Sequence, residues 1–200
     1  MKLYFSPGAC SLASHIVLKE IGVPFEAVQV DLRTKKTKAG ADYAAINPKG
    51  YVPAIELADG SLLTEGTAVL QYLADQKPAS GLAPPPASFE RYRLQEWLGY
   101  INSEIHKSFG PLFNPASSDA TKDAAKANIT KRLPLVVAAL NGKDYLMGQF
   151  TVADAYLYTV LSWAPKMGVD LSGFPAITAY LARIDARPSV QAARAAEKPA

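Results

Sequence analysis

A proline-rich stretch, PASGLAPPP at residues 78–86, divides this sequence into two parts with different hydrophobic patterns. It contains four Pro and one Gly, a composition typical of a stiff linker between domains. Before it, strand-like and helical segments alternate, whereas after it only helical periodicity remains. The sequence therefore predicts an α/β domain at residues 1–78, a linker at 79–86 and an all-helical domain at 87–200.

The first part has the order of a small mixed sheet. Residues 2–5 and 25–31 have strand patterns, and residues 10–22 between them have helical spacing. Residues 52–64 form two apolar runs around an Asp-Gly pair, which is a strong hairpin signal, and residues 65–77 are again helical. The order β-α-β, loop, β-β-α predicts a mixed four-stranded sheet with helices packed on it.

The second part predicts helices only. Their ranges are 87–110, 119–141, 152–167, 175–186 and 189–196. Thr151 with Asp154 three residues later is a capping-box variant, and this pair predicts the start of the third of these helices.

Composition excludes several classes of function. A single Cys cannot form an intramolecular disulfide, which fits a reducing cytoplasm. One Cys and two His make a zinc site improbable, so we expect no metal. The net charge of +3 is mild and interleaved, so we expect no nucleic-acid partner. No apolar run approaches the roughly 20 residues of a membrane helix, so we expect no membrane span.

The single cysteine, Cys10, lies where the first predicted strand passes into the first predicted helix. The first N–H groups of a helix have no intrahelical partner and the helix dipole is positive there, so both favour a thiolate. The alternative is a packed residue, since unpaired cysteines are often simply buried. Cys10 is therefore either a reactive thiol or a core residue, and no Cys at position 13 completes a two-thiol redox motif.

Two other segments carry candidate site residues. A second predicted helix begins at Glu65, Gly66 and Thr67, and its first N–H groups can hold a carboxylate. Glu65 can pair with an ammonium group. The alternative is that Glu65 only complements the helix dipole, as acidic residues in a first turn commonly do. The run RTKKTK at 33–38 is either a solvated loop or the source of one lysine, Lys35 or Lys36, for a substrate carboxylate.

A helix face in the second part is unusually small and polar. Gly99, Asn102, Ser103 and His106 fall at i, i+3, i+4 and i+7, which predicts that they share one face. Such a face suits the wall of a site or a contact between subunits, and the alternative is a solvated stripe.

Five stretches taken together resemble the cytosolic glutathione transferases. They are MKLYFSPGACSLASHIVLKE, NPKGYVPAIEL, LLTEGTAVLQYLAD, EWLGYINSEIHKSF and FTVADAYLYTVLSWA, and they cover nearly the whole chain. Cys10 and the pair His106-Lys107 resemble the bacterial beta class. The resemblance implies a thioredoxin-like N-terminal domain, an all-α C-terminal domain, a cytoplasmic homodimer, glutathione as co-substrate and a site for a small hydrophobic electrophile between the domains.

The resemblance also implies residue roles. Cys10, Ser11 and His106 would lie near the reacting thiol, and Ser103 would contribute from the other subunit. Val52 would pair its backbone with the cysteinyl unit of glutathione, with Pro53 cis. The implied glutathione-binding residues are Lys35, Val52, Pro53, Glu65, Gly66, Asn102 and Ser103. Aromatic residues of the helical domain would line the electrophile site, although residues at such spacing also form cores; the candidates are Phe109, Phe113, Tyr156 and Trp163.

The sequence departs from the family at two positions. Many relatives carry Ser where Gly66 stands, so a hydroxyl contact is lost while a backbone contact remains. Many beta-class relatives carry Asn where Gly99 stands, and Asn102 lies on the same predicted face. The implied activity is conjugation of the glutathione thiolate to small hydrophobic electrophiles. The alternatives are a glutathione-dependent thiol-disulfide reductase or reductive dehalogenase acting through a Cys10–glutathione disulfide, and a non-enzymatic glutathione or ligand binder.

Overall fold

The structure is a computed structural model that describes residues 1–198. The chain forms two compact units, one of residues 1–83 with the C-terminal segment that begins at Ala186, and one of residues 84–185. The division at 83/84 falls inside the predicted linker at 79–86. The predicted helical domain of 87–200 differs at its end, because the last helix packs with the first unit.

The first unit contains a mixed sheet. Its strands are β1 (Lys2–Phe5), β2 (Glu26–Asp31), β3 (Lys36–Thr37), β4 (Ala54–Glu56) and β5 (Leu62–Thr64). Their order is β3-β2-β1-β4-β5, with β1 and β2 parallel and the other pairs antiparallel. The mixed sheet is confirmed, but the predicted number of four strands is wrong. The fifth strand, β3, has only two polar residues, so it carries no strand pattern in the sequence.

Three helices follow the strands of this unit. They are α1 (Leu12–Ile21), α2 (Tyr43–Ile46) and α3 (Gly66–Asp75), with a 3₁₀ turn at Pro78–Ser80. Residues 12 to 18 of α1 are all buried, including the polar Ser14 and His15. A helix buried on every side must be covered by more than one neighbour, and α1 indeed packs against β1 and α3 and also against the last helix of the chain.

The second unit, residues 84–185, consists of helices joined by turns and loops, with no strand. Its helices are α4 (Phe89–Tyr100), a π-helical turn (Ile101–His106), a 3₁₀ turn (Lys107–Phe109), α5 (Gly110–Phe113), α6 (Asp119–Ala139), α7 (Val152–Leu161), α8 (Ala164–Met167) and α9 (Pro175–Asp185). The predicted helix at 87–110 is thus interrupted by a change of helix type, and the one at 152–167 is divided into α7 and α8.

The helix α7 is the centre of the second unit, since all ten of its residues are buried. The predicted capping box is confirmed, because the Thr151 N–H donates to Asp154 Oδ2 at 2.8 Å and the reciprocal contact is present. Asp154 also accepts from the Leu146 N–H and from the Tyr180 hydroxyl, at 2.9 and 3.0 Å. One buried carboxylate therefore joins the start of α7 to a loop and to α9.

The last helix, α10 (Pro188–Ala196), returns to the first unit and packs against α1. Glu20 of α1 is bonded to both Arg187 and Ser189. After α10, the buried Glu197 accepts the Gly8 N–H at 2.8 Å, and its other oxygen lies 3.0 Å from His15 Nδ1. The C-terminal segment therefore fixes the turn that precedes Cys10.

Within residues 1–198, no helix combines the length and the apolar character that crossing a membrane requires.

We predict that Glu197→Ala destabilises the fold by about 1–3 kcal/mol, because it removes the carboxylate that bonds the Gly8 N–H and contacts the buried His15 Nδ1. Urea unfolding measures this loss. Lys198→Ala is the matched control, since Lys198 is exposed, and it should leave the free energy of unfolding unchanged. Equal stability of the two variants would show that the carboxylate does not hold the turn.

Candidate functional site

The turn between β1 and α1 is held from inside by Ser11. Its buried hydroxyl accepts the Ser6 N–H at 3.1 Å and lies 3.3 Å from the Ser6 carbonyl oxygen, to which it donates. The Ala9 N–H donates to the same carbonyl at 3.0 Å. Both hydrogen-bonding functions of the Ser11 hydroxyl are therefore used within the turn, so this candidate catalytic residue shapes the backbone around Cys10.

Cys10 is a protonated thiol in this setting. Its Sγ donates to the Val52 carbonyl oxygen at 3.1 Å. Burial raises the pKa of the Cys10 thiol to about 11, although the backbone amides of Cys10 and Ser11 act in the opposite direction. The amides at the helix start act in the predicted direction, but desolvation of the charged form outweighs them, so the pKa of the Cys10 thiol lies above its ordinary value.

The loop that carries Val52 is fixed by two buried side chains. The Tyr43 hydroxyl and the Asn47 amide both donate to the Tyr51 carbonyl oxygen at 2.8 Å. The Val52–Pro53 peptide bond is cis. The sequence analysis did not identify Tyr43 or Asn47 as residues that support the site. Asn47 begins the stretch NPKGYVPAIEL that resembles the family, which was the one indication of its importance.

Lys35 reaches the same loop. Its Nζ donates to the Gly50 carbonyl oxygen at 2.9 Å and lies 5.6 Å from the centroid of the Tyr51 ring. Lys36 is exposed in the edge strand β3. Of the two candidate lysines, Lys35 is therefore the one placed beside the loop at 50–53.

Glu65 and Gly66 form the start of α3. Glu65 has φ of 68°, in the left-handed region that non-glycine residues rarely adopt, which is a form of strain that clusters at functional sites. Its largely exposed carboxylate lies 2.8 Å from Lys49 Nζ. A Cβ built at Gly66 would lie 3.8 Å from Pro53 Cδ, an ordinary contact, so the relatives' Ser fits here without displacing the backbone.

The predicted site residues of the first unit thus gather around one loop. Cys10 bonds to the Val52 carbonyl, Lys35 to that of Gly50, and Gly66 lies against Pro53. The arrangement offers an ammonium, a carboxylate and the amino end of a helix, which are complementary to the carboxylates and ammonium of a short peptide.

The second unit places the polar residues after α4 differently from the prediction. Asn102 and His106 both contact the buried Tyr156 hydroxyl, which donates to Asn102 Oδ1 at 3.0 Å and lies 2.6 Å from His106 Nδ1. Gly99 and Ser103 are exposed, and the Ser103 hydroxyl donates to the Gly99 carbonyl at 3.0 Å. The prediction of one shared face is wrong because the π-helical turn changes the angular spacing of side chains.

His106 lies in an aromatic cluster. Its ring centroid is 5.7 Å from that of Tyr156 and 5.1 Å from that of Trp163. Burial, with a smaller contribution from Lys107, lowers the pKa of His106 to about 4, so the imidazole is neutral at physiological pH. Phe113 stacks edge-on against Trp163 at 5.1 Å and is 49% exposed, whereas Phe109 is fully buried. Phe109 is therefore a core residue, and Phe113 is the exposed member of the cluster.

No group of three or more His, Cys, Asp or Glu side chains in residues 1–198 is placed to hold a metal ion.

Comparison with known proteins agrees with this architecture. Residues 8–76 match the family model of the glutathione S-transferase N-terminal domain, and residues 100–188 match that of the C-terminal domain. The chain is 50% identical over 198 residues to glutathione S-transferase GstA of Escherichia coli O157:H7, and the alignment covers 98% of each chain.

Two solved structures extend the comparison. A sphingomonad glutathione S-transferase complexed with glutathione has a TM-score of 0.96 and 51% identity over 100% of both chains. A beta-class glutathione S-transferase of Sphingomonas chungbukensis has a TM-score of 0.95 and 48% identity over 98% of both chains. These matches confirm the thioredoxin-like and helical domains and the predicted transferase class. The chain belongs to the glutathione S-transferase family, and bacterial beta-class enzymes are among its structural neighbours.

Proposed function

We propose that this enzyme ionises the thiol of bound glutathione and transfers the resulting thiolate to small hydrophobic electrophiles. The observation that carries the proposal is the gathering of Cys10, Lys35 and Gly66 around the loop at 50–53. A structural neighbour with 51% sequence identity was solved with glutathione bound. This similarity supports glutathione as the ligand of this protein.

Glutathione has two carboxylates and one ammonium group, and the first unit offers partners for each. We assign the γ-glutamyl ammonium to Glu65 and its carboxylate to the Gly66 N–H at the start of α3. The backbone of Val52, next to cis Pro53, pairs with the cysteinyl unit. Lys35, held beside this loop by the Gly50 carbonyl, attracts the glycyl carboxylate.

The thiolate in this mechanism belongs to glutathione. Cys10 keeps its proton because burial opposes its ionisation. When glutathione binds, we expect the S–H to turn from the Val52 carbonyl oxygen to the neighbouring thiolate, which leaves that carbonyl to pair with the cysteinyl unit. To lower the pKa of the glutathione thiol by about two units, the site must stabilise the thiolate by about 2.7 kcal/mol more than it stabilises the thiol. The amides at the start of α1 and the Cys10 S–H can supply this. Neutral His106 takes up the thiol proton only in passing and releases it to water, since its pKa of about 4 is too low to keep it.

The helical unit supplies apolar surface for the electrophile. Phe113 is the half-exposed member of the cluster and packs edge-on against the buried Trp163. We therefore assign Phe113 the direct contact with the electrophile, and Phe109 a supporting place in the core.

We further propose a cytoplasmic homodimer. Three exposed residues of α4 follow at i, i+4 and i+7, namely Tyr92, Glu96 and Gly99. The exposed Ser103 continues this stripe through its hydrogen bond to the Gly99 carbonyl, and a second copy can cover it. Ser103 then contributes to the partner's glutathione site. A single cysteine is consistent with a reducing compartment.

An activity panel tests the function. We predict that purified enzyme conjugates glutathione to aryl halides or epoxides and that Cys10→Ala keeps about a hundredth to a tenth of this rate, since loss of one hydrogen bond to a charged group typically costs about 1.5–3 kcal/mol. Treatment with glutathione disulfide at neutral pH should leave Cys10 without the mass increase of about 305 Da expected for a glutathionyl group.

Three results would contradict this proposal. Complete loss of conjugation in Cys10→Ala together with an adduct on the wild type would identify a Cys10–glutathione disulfide as the working intermediate. Turnover of disulfides alone would make the enzyme a reductase. Retention on immobilised glutathione without any turnover would identify a binding protein.

The glutathione contact of Glu65 has its own test. Glu65→Gln should raise the KM for glutathione about 10-fold with little change in kcat, because the carboxylate that pairs with the ammonium is neutralised. Lys49→Gln is the control, since it removes the ion-pair partner of Glu65 and leaves the carboxylate. The KM of Lys49→Gln for glutathione should stay within about twofold of wild type. An equal rise of KM in both variants would mean that the Glu65–Lys49 ion pair, and not a contact of Glu65 with glutathione, sets the affinity.

A further inference from the structure

Tyr156 connects two polar side chains of the π-helical turn. Its hydroxyl donates to Asn102 Oδ1 at 3.0 Å and lies 2.6 Å from His106 Nδ1. Asn102 and His106 are four residues apart, and the wide π-helical turn from Ile101 to His106 brings both to the same oxygen atom. The three groups form a chain from amide to phenol to imidazole.

The protons of this chain can be assigned one by one. A tyrosine hydroxyl has a single proton, and the amide oxygen of Asn102 can only accept. With that proton given to Asn102, the Tyr156 oxygen can only accept from His106. Nδ1 of His106 must therefore carry a hydrogen.

We propose that Tyr156 is a positioning residue that holds His106 in the Nδ1–H tautomer and so leaves Nε2 free of a proton. A neutral imidazole has one N–H and one acceptor nitrogen, and the bond made by one nitrogen decides the state of the other. This inference rests on the proposed function for its purpose: the bare Nε2 is the atom that accepts the proton of the glutathione thiol. Tyr156 itself touches neither reactant in this role.

The surroundings of Tyr156 suit a fixed support. It is 3% exposed and lies in α7, whose residues are all buried and whose start is fixed by the Thr151–Asp154 capping box. The Trp163 ring, in the turn that follows α7, also packs against the imidazole with its centroid 5.1 Å away. Both the hydroxyl and the imidazole plane therefore have little freedom to reorient.

The neutral state of His106 makes the tautomer matter. Because burial keeps this imidazole unprotonated at physiological pH, it has one acceptor nitrogen only. If Nε2 carried the proton, His106 could donate towards a thiolate but could not take a proton from a thiol. General base catalysis typically contributes about 10²–10⁴-fold, which sets the largest loss that a wrong tautomer can cause.

Nitrogen NMR of the full-length protein tests the tautomer directly. The chain has two histidines, His15 and His106, so a long-range ¹H–¹⁵N spectrum of ¹⁵N-labelled enzyme contains two imidazole patterns, and His106→Asn identifies the one to follow. At neutral pH we expect Nδ1 of His106 to show the shift of a protonated nitrogen and Nε2 that of a bare one. The opposite assignment in the wild type would overturn the proposal.

Two variants remove the constraint on the His106 tautomer in different ways. Tyr156→Phe removes the acceptor for the Nδ1 proton, and Asn102→Ala frees the Tyr156 proton to point at Nδ1 while the phenol ring stays in place. Both should produce the Nε2–H form of His106. Tyr158→Phe is the matched control, because the Tyr158 hydroxyl is buried in the same helix but bonds to Asp185; its spectrum should match the wild type. An unchanged tautomer in both variants would overturn the proposal.

Kinetics supply the functional readout. Tyr156→Phe should lower kcat for conjugation about 10-fold while KM for glutathione stays within about twofold, and Tyr158→Phe should change neither. The spectra need no glutathione, so they remain readable if the enzyme proves to conjugate nothing; that outcome would end the proposed function and leave the tautomer assignment standing. A predicted tautomer with unchanged kcat in Tyr156→Phe would instead show that His106 takes no proton.

Discussion

The hydrogen bond from the Cys10 thiol to the Val52 carbonyl oxygen joins the start of α1 to the loop before β4. Through this bond the amino end of one helix and the backbone of one loop become parts of the same site. The partly buried surroundings of this bond decide the chemistry of the cysteine, since desolvation raises the pKa of the Cys10 thiol and keeps it protonated. The protein thereby keeps helix-start amides available without ionising its own sulfur.

The surroundings of this bond hold its two ends by separate means. On the α1 side, Ser11 closes the turn on Ser6, and Glu197 fixes Gly8 and contacts His15. On the loop side, Tyr43 and Asn47 hold the Tyr51 carbonyl. Buried polar groups of this kind are costly unless they are satisfied, so they restrain the backbone to one arrangement. The residues that shape the site therefore come from distant parts of the chain, including its last helix.

Much of the fold follows from the spacing of apolar residues and from the residues that mark the ends of helices. The alternation before residue 78, the helical spacing after residue 86 and the Thr151–Asp154 pair all predict elements that the structure contains. The strand β3 could not be predicted, because two polar residues in a strand carry no periodic pattern. The return of α10 to the first unit could not be predicted either, since it depends on the pairing of Glu20 and Glu197 with partners far away in sequence.

The site shows the same division between local and non-local causes. The position of Cys10 at a helix start is a local property, and it was correctly identified. Its ionisation depends above all on burial, which packing from distant parts of the chain sets and which the local argument from the helix start does not include. Helical spacing correctly placed Asn102 and His106 on one face, but it also placed the exposed Gly99 and Ser103 there. The bonds of Asn102 and His106 to Tyr156 join residues about 50 positions apart, which helical spacing cannot indicate.

The central claim is that the thiolate at the start of α1 belongs to glutathione. Because the chain has one cysteine, Cys10→Ala contains no thiol, and any ultraviolet thiolate absorbance of its glutathione complex must come from glutathione. We expect that complex to show thiolate at neutral pH, whereas free wild-type enzyme should show none until the pH approaches the Cys10 pKa of about 11. Thiolate absorbance in the free wild type at neutral pH, together with none in the Cys10→Ala complex, would contradict the account.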